Sequence, residues 1–262
     1  MRKTVRVLST ALAIAVFAAP VFAAVINPFN TRPVTVLPAP GAEADLQVIV
    51  ETILPGSGLN VGTDQSTAGM WGLATVPPTT IPTLAFEYTA NEANQTFGMW
   101  FGTDDTDLLL VELFKGDATG LNNGSATAAG VDFIAPGQVE VFASAANCLT
   151  RVNCGVVTNA LVSSSSFGFY WSLGQTVYYT VDSLNPSLNP GDTVRALAFT
   201  SATNWVIAFE DGTSGEIGLG DQDYNDMVVK VESIAPVPEP GTLLLLGSGL
   251  VGAAMRRRRN RG

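Results

Sequence analysis

"NWVIAFEDGTSGEIGLGDQDYNDMVVKVE", Asn204 to Glu232, sets two apolar, β-branched runs on either side of a glycine-rich acidic stretch. Runs of this length and composition, bounded by glycine and aspartate, predict strands. Paired, they make a hairpin whose loop is Gly212 to Gly220. In its second strand Met227, Val229 and Val231 alternate with Val228, Lys230 and Glu232, which places the Met227 row on the core. The hairpin also brings Glu210 and Asp211, ending the first strand, to the same sheet end as Asp221, Asp223, Asn225 and Asp226.

Acids this close raise one another's pKa and oppose folding unless a cation or several hydrogen-bond donors compensate. No basic residue lies between Arg195 and Lys230 to do so. Calcium suits the set, because it takes about six to eight oxygen ligands. The candidate ligands are Asp211, Asp221, Asp223, Asn225 and Asp226, with Glu210 beside them. The segment is not an EF-hand. Counting Asp221 as the first position puts Glu232 at the last, but Asp226 stands where the sharp turn needs glycine, and no helices flank it. The competing explanation is a turn capped by Asp and Asn side chains bonded to backbone amides.

Other stretches share this strand-and-turn grammar. "PTLAFEYTA", "TFGMWFG", "VDFIAP", "QVEVFAS", "FGFYWSL", "TVYYTVDSL" and "TVRALAF" are short, aromatic or β-branched, and separated by glycine, proline and asparagine. "ADLQVIVETIL" (Ala44 to Leu54) is expected as a first strand, and "TVPPTTIP" as a proline-broken connection. "DLLLVELFKG" (Asp107 to Gly116) fits either a strand or a helix, since short apolar runs do not settle the period. The fold class expected is mainly β: an antiparallel β-sandwich of jelly-roll type.

The two ends differ from this pattern. Residues 1–23 read as a signal peptide: Arg2, Lys3 and Arg6, then an apolar helix too short to span a membrane, then small residues with cleavage at Ala23 or Ala24. Near the other end, Gly241 to Met255 is uncharged and apolar. As a single helix it reaches roughly 22 Å, short of the ~30 Å hydrocarbon core. The arginines that follow would hold its end in the cytoplasm. Between the ends, residues 24–235 form the expected exported domain. Five bases face 22 acids there, a net charge of −17, which disfavours nucleic acid and anionic membrane surfaces as partners. The chain has no histidine, so the usual general base of serine and cysteine hydrolases and the commonest zinc ligand are missing. Cys148 and Cys154 are the only cysteines, and export favours a disulfide between them, stabilising a small loop by roughly 2 kcal/mol.

"VPEPGTLLLLGSGLVGAAMRRRRNRG" orders three features: Pro238-Glu239-Pro240, the short apolar helix, and Arg256, Arg257, Arg258 and Arg259. Over residues 236–262 this resembles the PEP-CTERM sorting signal of Gram-negative bacteria. The resemblance implies export, an inner-membrane intermediate, and an exosortase as partner that cuts near the Pro-Glu-Pro motif. From Phe167 to Glu232 the chain resembles a domain of unknown function of secreted bacterial proteins. The features are "FGFY" (Phe167 to Tyr170), "DSLN" (Asp182 to Asn185), "FED" (Phe209 to Asp211) and "GDQDYND" (Gly220 to Asp226). That family implies an exported β-domain and no reaction.

The function expected is a non-enzymatic, calcium-stabilised protein of the cell surface or extracellular matrix, structural or adhesive, accompanying extracellular polysaccharide. A carbohydrate-binding module is the alternative, with Trp71, Trp100, Trp171 and Trp205 either stacking on sugars or packing in the core. A glycosidase, third, requires two carboxylates roughly 5 to 9.5 Å apart across a cleft. "TDDTD" (Thr103 to Asp107) is expected as a solvated turn rather than a second cation loop.

Overall fold

Stretches rich in aromatic and β-branched residues become, among the described residues, thirteen strands in two antiparallel sheets. The computed structural model describes residues 25–41, 43–74, 79–87, 95–115, 128–135, 137–144, 156–162, 164–185, 194–211 and 220–238. The signal segment, Cys148, Cys154, the apolar C-terminal run and the arginines lie outside them. Among the described residues no helix is long and apolar enough to cross a membrane.

The first sheet runs β13 (Ile234–Pro236), β1 (Trp71–Leu73), β8 (Phe167–Leu173), β3 (Gln95–Phe101) and β4 (Leu109–Lys115), with β9 (Thr176–Tyr179) also paired to β8. The second runs β10 (Ala196–Ser201), β11 (Asn204–Phe209), β12 (Met227–Glu232), β2 (Thr79–Glu87), β5 (Ala128–Ala135), β6 (Gln138–Ser144) and β7 (Val156–Leu161). Their inner faces share one core. Trp71 of the first sheet meets Trp205 of the second edge to face at 5.4 Å, and Phe97 meets Phe209 at 6.1 Å. Such pairs add about 0.5–1.5 kcal/mol beyond the area they bury.

On the outer face of the first sheet, Trp100 and Tyr170 join Ile26, Met70 and Val181 in a smaller cluster. Gly168 is required there, because a Cβ would collide with the Trp100 indole.

Several expectations need correction. "LQVIVETI" is not a strand but helix α1 (Leu46–Ile53), the one α-helix among the described residues. Its buried residues Leu46, Ile49 and Val50 fall at helical spacing. They pack on Leu197, Phe199, Val206, Ala208 and Val228, covering the outer face of β10, β11 and β12. The Met227 row is therefore not alone in being buried: Val228, on the opposite face, is as inaccessible as Val229. The proline-broken connection is partly strand, since β2 starts at Thr79 and carries Pro82 opposite Val231. On its other side the register runs Thr79↔Asp132, Thr80↔Val131 and resumes at Thr83↔Ala128. The break sits at the proline, which has no N–H to give. The ambiguous "LLVELFK" is β4. Consecutive strands pair through β10–β11–β12 and β5–β6–β7 in the second sheet, whereas the first sheet is built largely of crossovers, with β13–β1, β1–β8 and β8–β3 joining strands distant in sequence.

Candidate functional site

β11 and β12 pair over their whole length, from Asn204↔Glu232 to Phe209↔Met227. The hairpin expected from sequence is present, and both acidic groups stand at its loop end. Their side chains separate into two groups rather than one. Glu210, Asp211 and Asp226 form an inner group, and Asp221 and Asp223 form an outer one with Glu43, from the segment before α1. In each group one oxygen per residue lies within 4.8 Å of the others.

Glu210 and Asp211 of the inner group are buried and Asp226 is half-buried. Glu210 is 0% exposed and Asp211 8%. Glu210 Oε2 accepts the Tyr224 N–H at 2.8 Å, and Asp226 Oδ2 accepts the Asp211 N–H at 2.6 Å. Glu210 Oε1 and Asp211 Oδ1 are buried with no hydrogen-bond partner among the described residues. Burial, then the charges of Asp221, Asp223 and Asp211, pushes Glu210 up to about 8 against the pull of the Tyr224 amide. Burial, then Asp211 and Glu210, pushes Asp226 up to about 9. Asp211 is raised by burial and by Asp221, with Arg195 opposing.

Arg195 corrects the expectation that no base compensates the cluster. Just before β10, it is buried, donates from Nη1 to the Asp211 carbonyl at 3.3 Å, and lies over the Tyr178 ring at 5.3 Å. Sequence distance hid this, because β10 pairs with β11 and so returns Arg195 to the same sheet end.

In the outer group Asp223 behaves as the capped turn requires. Its Oδ1 accepts the Asn225 N–H at 3.2 Å and its Oδ2 accepts Asn225 Nδ2 at 2.8 Å. Burial, opposed by the Asn225 amide, raises Asp223 to about 6, with Asp221 and Glu43 adding to the rise. The same Asn225 Nδ2 reaches the Ala44 carbonyl at 3.2 Å, and the Leu37 N–H reaches the Gln222 carbonyl at 2.9 Å. The loop is thus tied to the N-terminal segment, which sequence gave no reason to expect.

Tyr224 also escaped the sequence reading. Its ring is 1% exposed in the cluster beneath α1, and its backbone has φ of 56°. With Gln222 at φ 63° it makes two left-handed non-glycine residues in one loop, a conformation costing about 1–3 kcal/mol each unless the surroundings impose it. The aromatic inside "DYND" was the available signal.

The remaining candidates resolve structurally. Trp71, Trp100 and Trp171 are 0% exposed and Trp205 2%, so none offers a face to a sugar ring. In "TDDTD", Asp107 accepts the amides of Thr103 and Asp104, which lower its pKa, and Asp104 accepts from Thr106. It is a capped turn. In "DSLN", Asp182 makes a two-pronged pair with Arg32 at 2.7 and 2.9 Å, while the Asn185 side chain brackets the Tyr179 backbone. The "FGFY" residues Phe167 and Phe169 pack in the main core. A groove of about 700 Å³ lies elsewhere, along Leu73, Phe133, Val162, Pro236 and Pro238, and no carboxylate lines it among the described residues.

That groove lies beside β13. Pro236 pairs with Trp71, and the Val237 N–H reaches the Met70 carbonyl at 3.1 Å. No curated protein and no solved structure is significantly similar to this chain. Residues 150–234 match a family model described as a domain of unknown function (DUF4114). The match spans the resembling stretch 167–232 without singling out the "FED…GDxDYND" motif. Residues 236–259 match the PEP-CTERM protein-sorting motif, so this is an exported protein sorted by an exosortase through a membrane-anchored intermediate toward the cell surface.

Proposed function

We propose that the protein is a non-enzymatic structural or adhesive component of the cell surface or extracellular matrix of a Gram-negative bacterium, stabilised by calcium. The observation that carries this reading is the continuity between fold and sorting motif. β13 ends at Pro236, where the motif begins, so the exported domain is delivered as one packed unit. The acids are packed against one another at the loop end of a hairpin. Calcium is favoured by the all-oxygen cluster in an acidic, histidine-free chain. The purified protein is to be incubated with a panel of extracellular polysaccharides and assayed for binding and for cleavage. Retention on matrix polysaccharide without cleavage is expected. Release of shortened glycans would overturn the non-enzymatic reading.

A further inference from the structure

We propose that one calcium ion sits in the inner group, bound by Glu210, Asp211 and Asp226, and closes the end of the β11–β12 hairpin. This rests on the calcium reading above and narrows it to a position. Three carboxylate oxygens within 4.8 Å of one another span one coordination sphere at calcium–oxygen distances of about 2.3–2.6 Å. A cluster of acids alone would not be enough. Glu210 and Asp211 are more than nine-tenths buried, and Glu210 Oε1 and Asp211 Oδ1 are left without a donor among the described residues. Buried acceptors in that state are costly and rare in native folds.

The other oxygens show why these two are bare. Glu210 Oε2 and Asp226 Oδ2 are held by the amides of Tyr224 and Asp211, the kind of outer contact that orients ligands toward an ion. Gly220 roofs the group. A Cβ there would collide with Glu210 Oε1 and come within 2.7 Å of the Asp211 carbonyl oxygen.

Charge agrees with a divalent ion. Three carboxylates beside the single guanidinium of Arg195 leave two negative charges. The outer group is the poorer position, because both Asp223 oxygens are committed to Asn225 and Asp221 is exposed. The donors join the residues just after β11 to the residue just before β12, so the ion acts as a clamp across the hairpin.

Calcium chloride is to be titrated into the EDTA-stripped protein, reading heat of binding and melting temperature. Variants Asp226→Asn and Glu210→Gln are compared with Asp221→Asn and Glu43→Gln. The wild type is expected to melt higher with calcium. Asp226→Asn and Glu210→Gln should each lose about tenfold or more in calcium affinity, the scale on which ligand-shell changes act. Both should also melt higher than wild type in EDTA, because an acid that is costly to bury among other acids is gone; a merely structural role would lower the melt. Asp221→Asn and Glu43→Gln should change affinity by no more than about fivefold, the reach of an exposed charge. If both inner variants bind as the wild type does while Asp221→Asn or Glu43→Gln does not, the ion belongs to the outer group. The clamp is then wrong and the calcium reading stands. A wild type indifferent to calcium and chelator alike overturns both.

Discussion

Gly220 and the carboxyl it covers concentrate the chemistry of the hairpin end into a few atoms. Gly220→Ala forces a methyl group against Glu210 Oε1 and the Asp211 carbonyl. We expect a loss of about 2–4 kcal/mol, the range of overpacking and strain at a special backbone position; an unchanged urea midpoint would show that the loop yields freely. The Arg32–Asp182 pair is a second point of leverage, with side chains 2% and 17% exposed. Arg32→Ala leaves a partly buried carboxylate without its partner and should cost about 1–3 kcal/mol by the same measurement. Protonation has a definite sign in the ion-free protein. Glu210 and Asp226 stand at about 8 and about 9 when folded, against ordinary values of 4.5 and 3.8. The folded state therefore holds protons that the unfolded chain releases. Their contribution is full below the ordinary values and is lost as pH rises through the folded ones. In EDTA the melting temperature should fall between about pH 5 and about pH 8, where each carboxyl contributes up to about 1.4 kcal/mol per pH unit. A melt that rises over that interval contradicts the burial of these groups.

At the scale of elements, α1 is what buries β10, β11 and β12 on both faces. Leu46 is 2% exposed against β10, β11 and β12, so Leu46→Ala should destabilise by about 2–5 kcal/mol. A change under about 0.5 kcal/mol, the usual scale of surface substitutions, would mean the helix is not part of the cooperative unit. Alternation and turn residues made most strands legible, the β11–β12 hairpin above all, because period and boundaries agreed there. They failed at "LQVIVETI", where β-branched residues suggested a strand while the buried positions followed the helical period. They failed again at Val228, because no local signal says whether a second layer covers a sheet's outer face. The acidic residues of the site were legible by proximity along the chain. Glu43 and Arg195 were not, since only the tertiary fold returns them to that end.

At the scale of the whole molecule, a β-rich domain runs straight into a PEP-CTERM sorting motif at residues 236–259. β13 is a three-residue edge strand, and the Val237 N–H is still bonded to Met70. The sorting motif therefore follows directly on β13 along the sequence. The most direct measurement is the intact mass of the protein recovered from the outer fractions of its native host. The expected species starts near Ala24 and lacks Arg256 to Arg259. A species in those fractions that retains the arginines would contradict sorting by cleavage and leave only an anchor.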